Sequence, residues 1–220
     1  MTWIKICGTT NLADALVAVE AGADALGFVF AESMRRVTPE TAAEICRHVP
    51  DSVEKIGVFI SETPERIKAI ADQVGLTSVQ LHQRVAIPGR GNVAVIPVLH
   101  MSDVEKLDRN LTFPEPVERV LLDNGNAQKG GGTGKCFDWS RASEFLKNAG
   151  LDTRYRIIVA GGLSPDNVVE AIRVFRPFGV DVVSGVEREK GRKDPDKIRA
   201  FIAAVHAADE QRMATQKVQF

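Results

Sequence analysis

The chain has 220 residues, enough for one large α/β domain to bury most of its apolar surface without disulfide or metal staples. Hydrophobic residues make up 44%, charged residues 26%, and the formal net charge is -1, so nothing favours a grip on nucleic acid or on an anionic membrane. No apolar run approaches the roughly 18 residues of a membrane span. The first residues read as a strand rather than a leader peptide, and Cys7, Cys46 and Cys136 lie far apart with no C-x-x-C. That pattern argues against a disulfide framework or a structural zinc site and suits a reducing, cytoplasmic setting.

In chain order, short runs rich in β-branched and apolar residues alternate with segments of helical spacing. The runs fall at 3–7, 25–30, 53–60, 78–82, 93–99, 117–123, 156–160 and 180–184. The helical segments fall at 12–21, 39–49, 64–74, 102–109, 139–148, 165–175 and 195–206. Continuous apolar strands joined by helices predict a parallel sheet. Eight such units match a single (β/α)8 TIM barrel at about this length, with a doubly wound open sheet as the competing arrangement. Thr38-Pro39, Thr63-Pro64 and Ser164-Pro165 each place a capping hydroxyl before a proline and so predict helix starts. The fourth unit is degenerate: residues 83–92 contain Pro88, Gly89 and Gly91 and predict a turn instead of a helix. The catalytic unit is expected over 1–206, followed by a polar tail, 207–220, that either extends the last helix or is a disordered end.

In a parallel barrel the chemistry sits at the C-terminal ends of the strands. Strand one ends Lys5-Ile6-Cys7-Gly8, and period-two alternation turns Lys5 and Cys7 into the barrel while Ile4 and Ile6 face the helices. Cys7 is then either a nucleophile or base at the mouth, or a small buried hydrophobe. Strand six ends in Asp123, a carboxylate that closes an apolar run and is suited to proton donation, or one that caps the following loop. The glycines from Gly130 to Gly134 lack the spacing and the immediate helix of a nucleotide-binding P-loop and read as a lid. Gly161-Gly162 after strand seven and Ser184-Gly185 after strand eight fall where such barrels cradle phosphate with backbone N–H groups. Arg35 and Arg36, after strand two, could pair with a substrate carboxylate or be solvated surface. Gln80 and His82 end strand four as further mouth residues, His82 reading more readily as a structural histidine. The remaining histidines, His48, His100 and His206, are scattered and form no metal set with it.

Together these segments resemble the phosphoribosylanthranilate isomerase family of tryptophan biosynthesis. The resemblance runs in order from residue 4 to about 204. It is carried by Lys5-Ile6-Cys7-Gly8, Gly22-Ala23-Asp24-Ala25-Leu26-Gly27-Phe28-Val29-Phe30, Val79-Gln80-Leu81-His82, Leu121-Leu122-Asp123, Gly131-Gly132-Thr133-Gly134-Lys135, Ala160-Gly161-Gly162-Leu163-Ser164-Pro165 and Ser184-Gly185-Val186-Glu187. It implies a cofactor-free and metal-free Amadori isomerase acting on N-(5-phosphoribosyl)anthranilate, with a small phosphosugar as its only partner molecule and an oligomeric state open between monomer and homodimer. It further implies that Asp123 is the general acid, Cys7 the general base, Arg35 (or its neighbour Arg36) the carboxylate contact, and Gly161, Gly162, Ser184 and Gly185 the phosphate loops. The chain departs from the family pattern in a shorter loop after strand two, in Gln83 after Gln80-Leu81-His82, and in Val183 beside Ser184. A differently specific or non-catalytic phosphosugar-binding barrel is the alternative.

One expectation concerns the floor of the site. A charged Lys5 inside the barrel needs a partner. Strand eight adjoins strand one once the barrel closes, and Asp181 lies near the same depth. The expected pair is Lys5–Asp181, beneath Cys7.

Overall fold

The computed structural model describes residues 1–101, 111–114, 116–124 and 138–217. Its eight parallel strands close into a barrel in chain order: β1 (Trp3–Cys7), β2 (Ala25–Val29), β3 (Glu54–Phe59), β4 (Ser78–Leu81), β5 (Ala94–His100), β6 (Arg119–Asp123), β7 (Arg156–Val159) and β8 (Gly179–Val182). This is a (β/α)8 barrel, and the open-sheet alternative falls because β8 pairs with β1. Among the described residues no helix is long and apolar enough to cross a membrane.

The helices begin and end where local chemistry dictates. Helix α1 (Leu12–Ala21) is capped by the Asn11 side chain and stopped by left-handed Gly22. Helices α2 (Pro39–Cys46) and α3 (Pro64–Val74) start as expected, with Thr38 and Thr63 accepting from backbone N–H groups and a proline in the first turn. Helix α4 (Trp139–Asn148) is capped by Asp138, and a short α5 (Leu151–Arg154) follows it. The expected start at Ser164-Pro165 does not occur. Helix α6 begins only at Val168 (Val168–Phe175), because the Asn167 side chain ties the preceding turn together, accepting from Ser164 N at 2.8 Å and donating to Gly162 O at 2.9 Å. No helix fills the stretch after β4, as Pro88, Gly89 and Gly91 predict. The segment at 102–109 and the lid glycines lie outside the described residues.

The last helix, α7 (Pro195–Lys217), runs well past residue 206. Its buried Asp209 accepts from Thr2 N at 2.5 Å and Thr2 Oγ1 at 2.8 Å, tying this helix to the start of β1. Two short strands escaped the sequence reading. After β8 the chain turns through a 3-10 helix (Ser184–Val186) into an antiparallel hairpin, β9 (Glu187–Glu189) with β10 (Arg192–Lys193). Ser184 therefore opens this 3-10 turn and does not end strand eight.

The core has two parts. Outward-facing residues such as Ile4, Ile6, Leu26, Phe28 and Val180 pack against the helices. Inward-facing Ala25, Ile56, Ile96, Val98, Leu121, Ile158 and Ala160 fill the barrel interior, so it is a packed core and not a pore. Above this apolar layer the inward positions turn polar.

Candidate active site

The polar layer begins at Lys5, which is fully buried and points into the barrel as alternation requires. Its Nζ donates to Asp181 Oδ1 at 2.9 Å and to Gln80 Oε1 at 2.8 Å. The expected Lys5–Asp181 pair is therefore present, and the two residues are register partners across the β1–β8 seam. Burial by itself would lower the Lys5 pKa, but Asp181 and the neighbouring Cys7 thiol outweigh it and raise it above its ordinary value. Lys5 is thus held as a cation.

Cys7 lies one inward position above Lys5. Burial pushes the thiol pKa up, while the Lys5 ammonium, through its charge and a hydrogen bond, pulls it down; the net direction is up. Room for the sulfur comes from its register partner Gly27, where a methyl group would sit 2.6 Å from Sγ. Gly27 is a site residue that the strand-end reading passed over, because a glycine inside an apolar strand carries no chemistry of its own.

Cys7 and Asp123 line one pocket of about 560 Å³ at the C-terminal ends of the strands. That volume suits a small organic ligand. Asp123 is buried at the end of β6. Gly161, Gly162 and Ser184 also line the pocket, with Gln80 from β4, His82 just after that strand, and Arg35 from the loop after β2. Gly185 stands just behind this lining, where a side chain would collide with the Leu163 carbonyl oxygen, so the turns after β7 and β8 touch through a bare backbone. Arg36 is not brought to this pocket. It is exposed and borders a separate hollow with Pro39 and Arg66, leaving Arg35 as the loop arginine that faces Cys7.

His82 does not stand alone. Its Nδ1 lies 3.3 Å from Nε2 of His100, a residue that looked scattered in sequence, and the rings tilt together at 5.1 Å between centroids. Adjacent strands β4 and β5 make this pair, and burial with the neighbouring imidazole holds the His82 pKa down at about 4. Among the described residues no group of three or more His, Cys, Asp or Glu side chains could hold a metal ion.

A closed parallel barrel with a thiol, a carboxylate and two glycine-containing turns around one mouth pocket is the arrangement of a TIM-barrel enzyme with its site at the C-terminal ends of the strands. The model of the N-(5'-phosphoribosyl)anthranilate isomerase family matches residues 4–204, and the chain belongs to that family. An N-(5'-phosphoribosyl)anthranilate isomerase from Pelobacter propionicus is 47% identical over 92% of this chain and 94% of its own length. A solved phosphoribosyl anthranilate isomerase from Thermotoga maritima superposes with a TM-score of 0.79 at 41% identity, covering 94% of this chain and 100% of that one. Another, crystallised with reduced 1-(o-carboxyphenylamino)-1-deoxyribulose 5-phosphate, gives a TM-score of 0.75 at 37% identity over 94% of this chain and 100% of its own.

Proposed function

We propose that this chain converts N-(5-phosphoribosyl)anthranilate to 1-(2-carboxyphenylamino)-1-deoxyribulose 5-phosphate, the Amadori step of tryptophan biosynthesis, with Asp123 as general acid and Cys7 as general base. The observation that carries the reading is the lining of a single pocket by Cys7, Asp123, Arg35 and the Gly161-Gly162 and Ser184 turns. Backbone N–H groups of those turns supply a phosphate cradle that needs no cationic side chain. Arg35, which lines the same pocket, supplies the cation for the anthranilate carboxylate.

With the substrate spanning these two ends, its ribose lies between acid and base. Asp123 gives its proton to the ring oxygen, the bond from that oxygen to the anomeric carbon breaks, and the anthranilate nitrogen's lone pair forms a protonated imine. Cys7, as thiolate, removes the proton from the adjacent sugar carbon, and the electron pair moves into the imine to give an enolamine. The enol hydroxyl loses its proton as the former anomeric carbon gains one, leaving the ketone. The imine is the electron sink, so the step calls for no cofactor. The step needs the acid protonated and the base ionised; burial opposes ionisation of the Cys7 thiol, and the Lys5 ammonium beneath it is the main influence favouring the thiolate. A thiol base works in a compartment that keeps thiols reduced, which favours the cytoplasm.

A fluorescence assay of substrate consumption tests the assignment. Cys7→Ser and Asp123→Asn should each lower kcat by at least about a hundredfold with folding intact. Parental turnover in either variant would remove that residue from its role.

A further inference from the structure

Glu187 and Lys193 stand on the hairpin behind β8, and the reaction as described uses neither. Glu187 holds Arg35 side-on, accepting from Nε at 2.7 Å and from Nη2 at 2.8 Å. The Arg35 side chain is 12% exposed and that of Glu187 4%, so the contact is shielded from solvent and differs from an ordinary surface ion pair. The stem of Arg35 lies over Gly8, where a methyl group would come within 2.9 Å of its Cδ. A guanidinium has two edges that can grip a carboxylate. Glu187 takes the Nε/Nη2 edge, and the Nη1/Nη2 edge is the one left to a second carboxylate.

Behind Glu187 sits Lys193, whose ammonium is 1% exposed. It donates to the Cys7 carbonyl at 2.6 Å and the Val183 carbonyl at 2.9 Å, and lies 3.4 Å from Glu187 Oε1. One buried cation thus joins the backbone of the base, the backbone entering the Ser184 turn, and the carboxylate that holds Arg35. The hairpin is pinned in turn, with Lys193 N donating to Asp14 Oδ2 at 3.0 Å and Thr10 Oγ1 to Gly191 O at 2.9 Å. Burying an ammonium costs several kcal/mol unless its donors are satisfied. A hairpin that only covered the barrel could place an apolar side chain at 193 without that cost. The ammonium instead bridges two backbone carbonyls of the site wall and the carboxylate of Glu187 that holds Arg35.

We infer that Glu187, backed by Lys193, is a positioning residue that presents one edge of Arg35 to an aryl carboxylate, and so sets the preference for carboxylate-bearing substrates over the same phosphosugar without that group. Lys193, Glu187 and Arg35 together carry a charge of +1, which one substrate carboxylate neutralises. This rests on the reading of Arg35 as the carboxylate contact.

The test compares the affinity of reduced 1-(2-carboxyphenylamino)-1-deoxyribulose 5-phosphate with that of its phenylamino counterpart lacking the carboxylate, alongside inorganic phosphate. It uses the parent, Glu187→Gln and Arg35→Met. Glu187→Gln should shrink the preference for the carboxylated compound about tenfold, raise KM more than it lowers kcat, and leave the phenylamino compound and phosphate within twofold. An unchanged preference, or equal weakening of all three ligands, overturns the inference. Loss of the preference in Arg35→Met but not in Glu187→Gln overturns the inference alone, while its persistence in Arg35→Met overturns the reading of Arg35 as well. Should Glu187→Gln melt early, Glu187→Gln/Lys193→Met removes the stranded cation and keeps the comparison available.

Discussion

Replacing Lys5 with methionine isolates the electrostatic support of the proposed base. Lys5 is fully buried, and its ammonium touches Asp181 at 2.9 Å and Gln80 at 2.8 Å while its charge acts on the Cys7 thiol. Burial drives the thiol pKa up and Lys5 is the largest influence opposing it. Two unit charges about 4 Å apart at an effective dielectric of about 20 interact by about 4 kcal/mol, or about 3 pH units. Asp181, left bare, pushes the thiol in the same upward direction. A base works only when deprotonated, so activity rises with pH through the thiol pKa, and raising that pKa moves the limb to higher pH. Lys5→Met should therefore displace the acid limb of kcat/KM upward by about 2–3 units. The stronger base recovers part of the loss, so the fall at neutral pH is about 10–10²-fold. Breaking a buried pair also costs about 3–5 kcal/mol of stability. Lys5→Met/Asp181→Leu should recover most of that stability and only part of the pH displacement. The assay is substrate fluorescence across pH, with urea unfolding in parallel. A folded Lys5→Met enzyme whose pH profile overlays the parent's would refute the reasoning.

Three further predictions follow from the same geometry. His82, with its pKa held at about 4, cannot take the proton that an unfolded histidine accepts below about 6.5. Stability is therefore fully present above about pH 6.5 and falls as pH drops toward 4, by about 2–3 kcal/mol at pH 4.5. His82→Gln should remove that loss in urea titrations at pH 7.5 and 4.5, and an acid loss as large as the parent's would count against it. Gly27→Ala brings a methyl group within 2.6 Å of Cys7 Sγ and 3.0 Å of its Cα. It should lower kcat by about a hundredfold at a stability cost of about 1–3 kcal/mol, and a parental rate would show the thiol's position to be unimportant. Thr38→Ala removes the hydroxyl that accepts from Thr41 N at 3.2 Å at the start of α2. It should cost about 1 kcal/mol by thermal or urea unfolding, with kcat unchanged.

Much of this was legible because it is local. Strands β1 to β8 announce themselves as apolar runs, and their bounds shift from the reading by only a residue or two at each end. Helices α1, α3 and α4 occupy the residues their spacing indicates, since a cap starts each and α1 and α3 stop at a left-handed glycine. The errors share a cause. At Ser164-Pro165 the cap signal was sound, but the Asn167 side chain, accepting from Ser164 N and donating to Gly162 O, holds these residues in a turn ahead of the helix. The stretch from Glu187 to Lys193 belonged to none of the expected elements, yet it folds back as a hairpin and buries an ammonium. His82 and His100 are 18 residues apart and meet only because β4 and β5 pair.

The sequence by itself determined the number and direction of the strands, which residues point inward, and which polar groups end each strand. Those follow from side-chain periodicity and capping within a few residues of chain. Only the closed barrel decided who meets whom at that depth. Lys5 and Asp181, 176 residues apart, could be paired in advance only by supposing that β8 closes against β1, and the register of that seam is what joins them. The hairpin behind β8 meets the loop after β2, so that Arg35 is held by Glu187 in the pocket while Arg36, one residue on, faces another hollow. A charged side chain carries no periodic signal for its partner; the partner is chosen by strand register and by the cost of leaving a charge unpaired once water is gone.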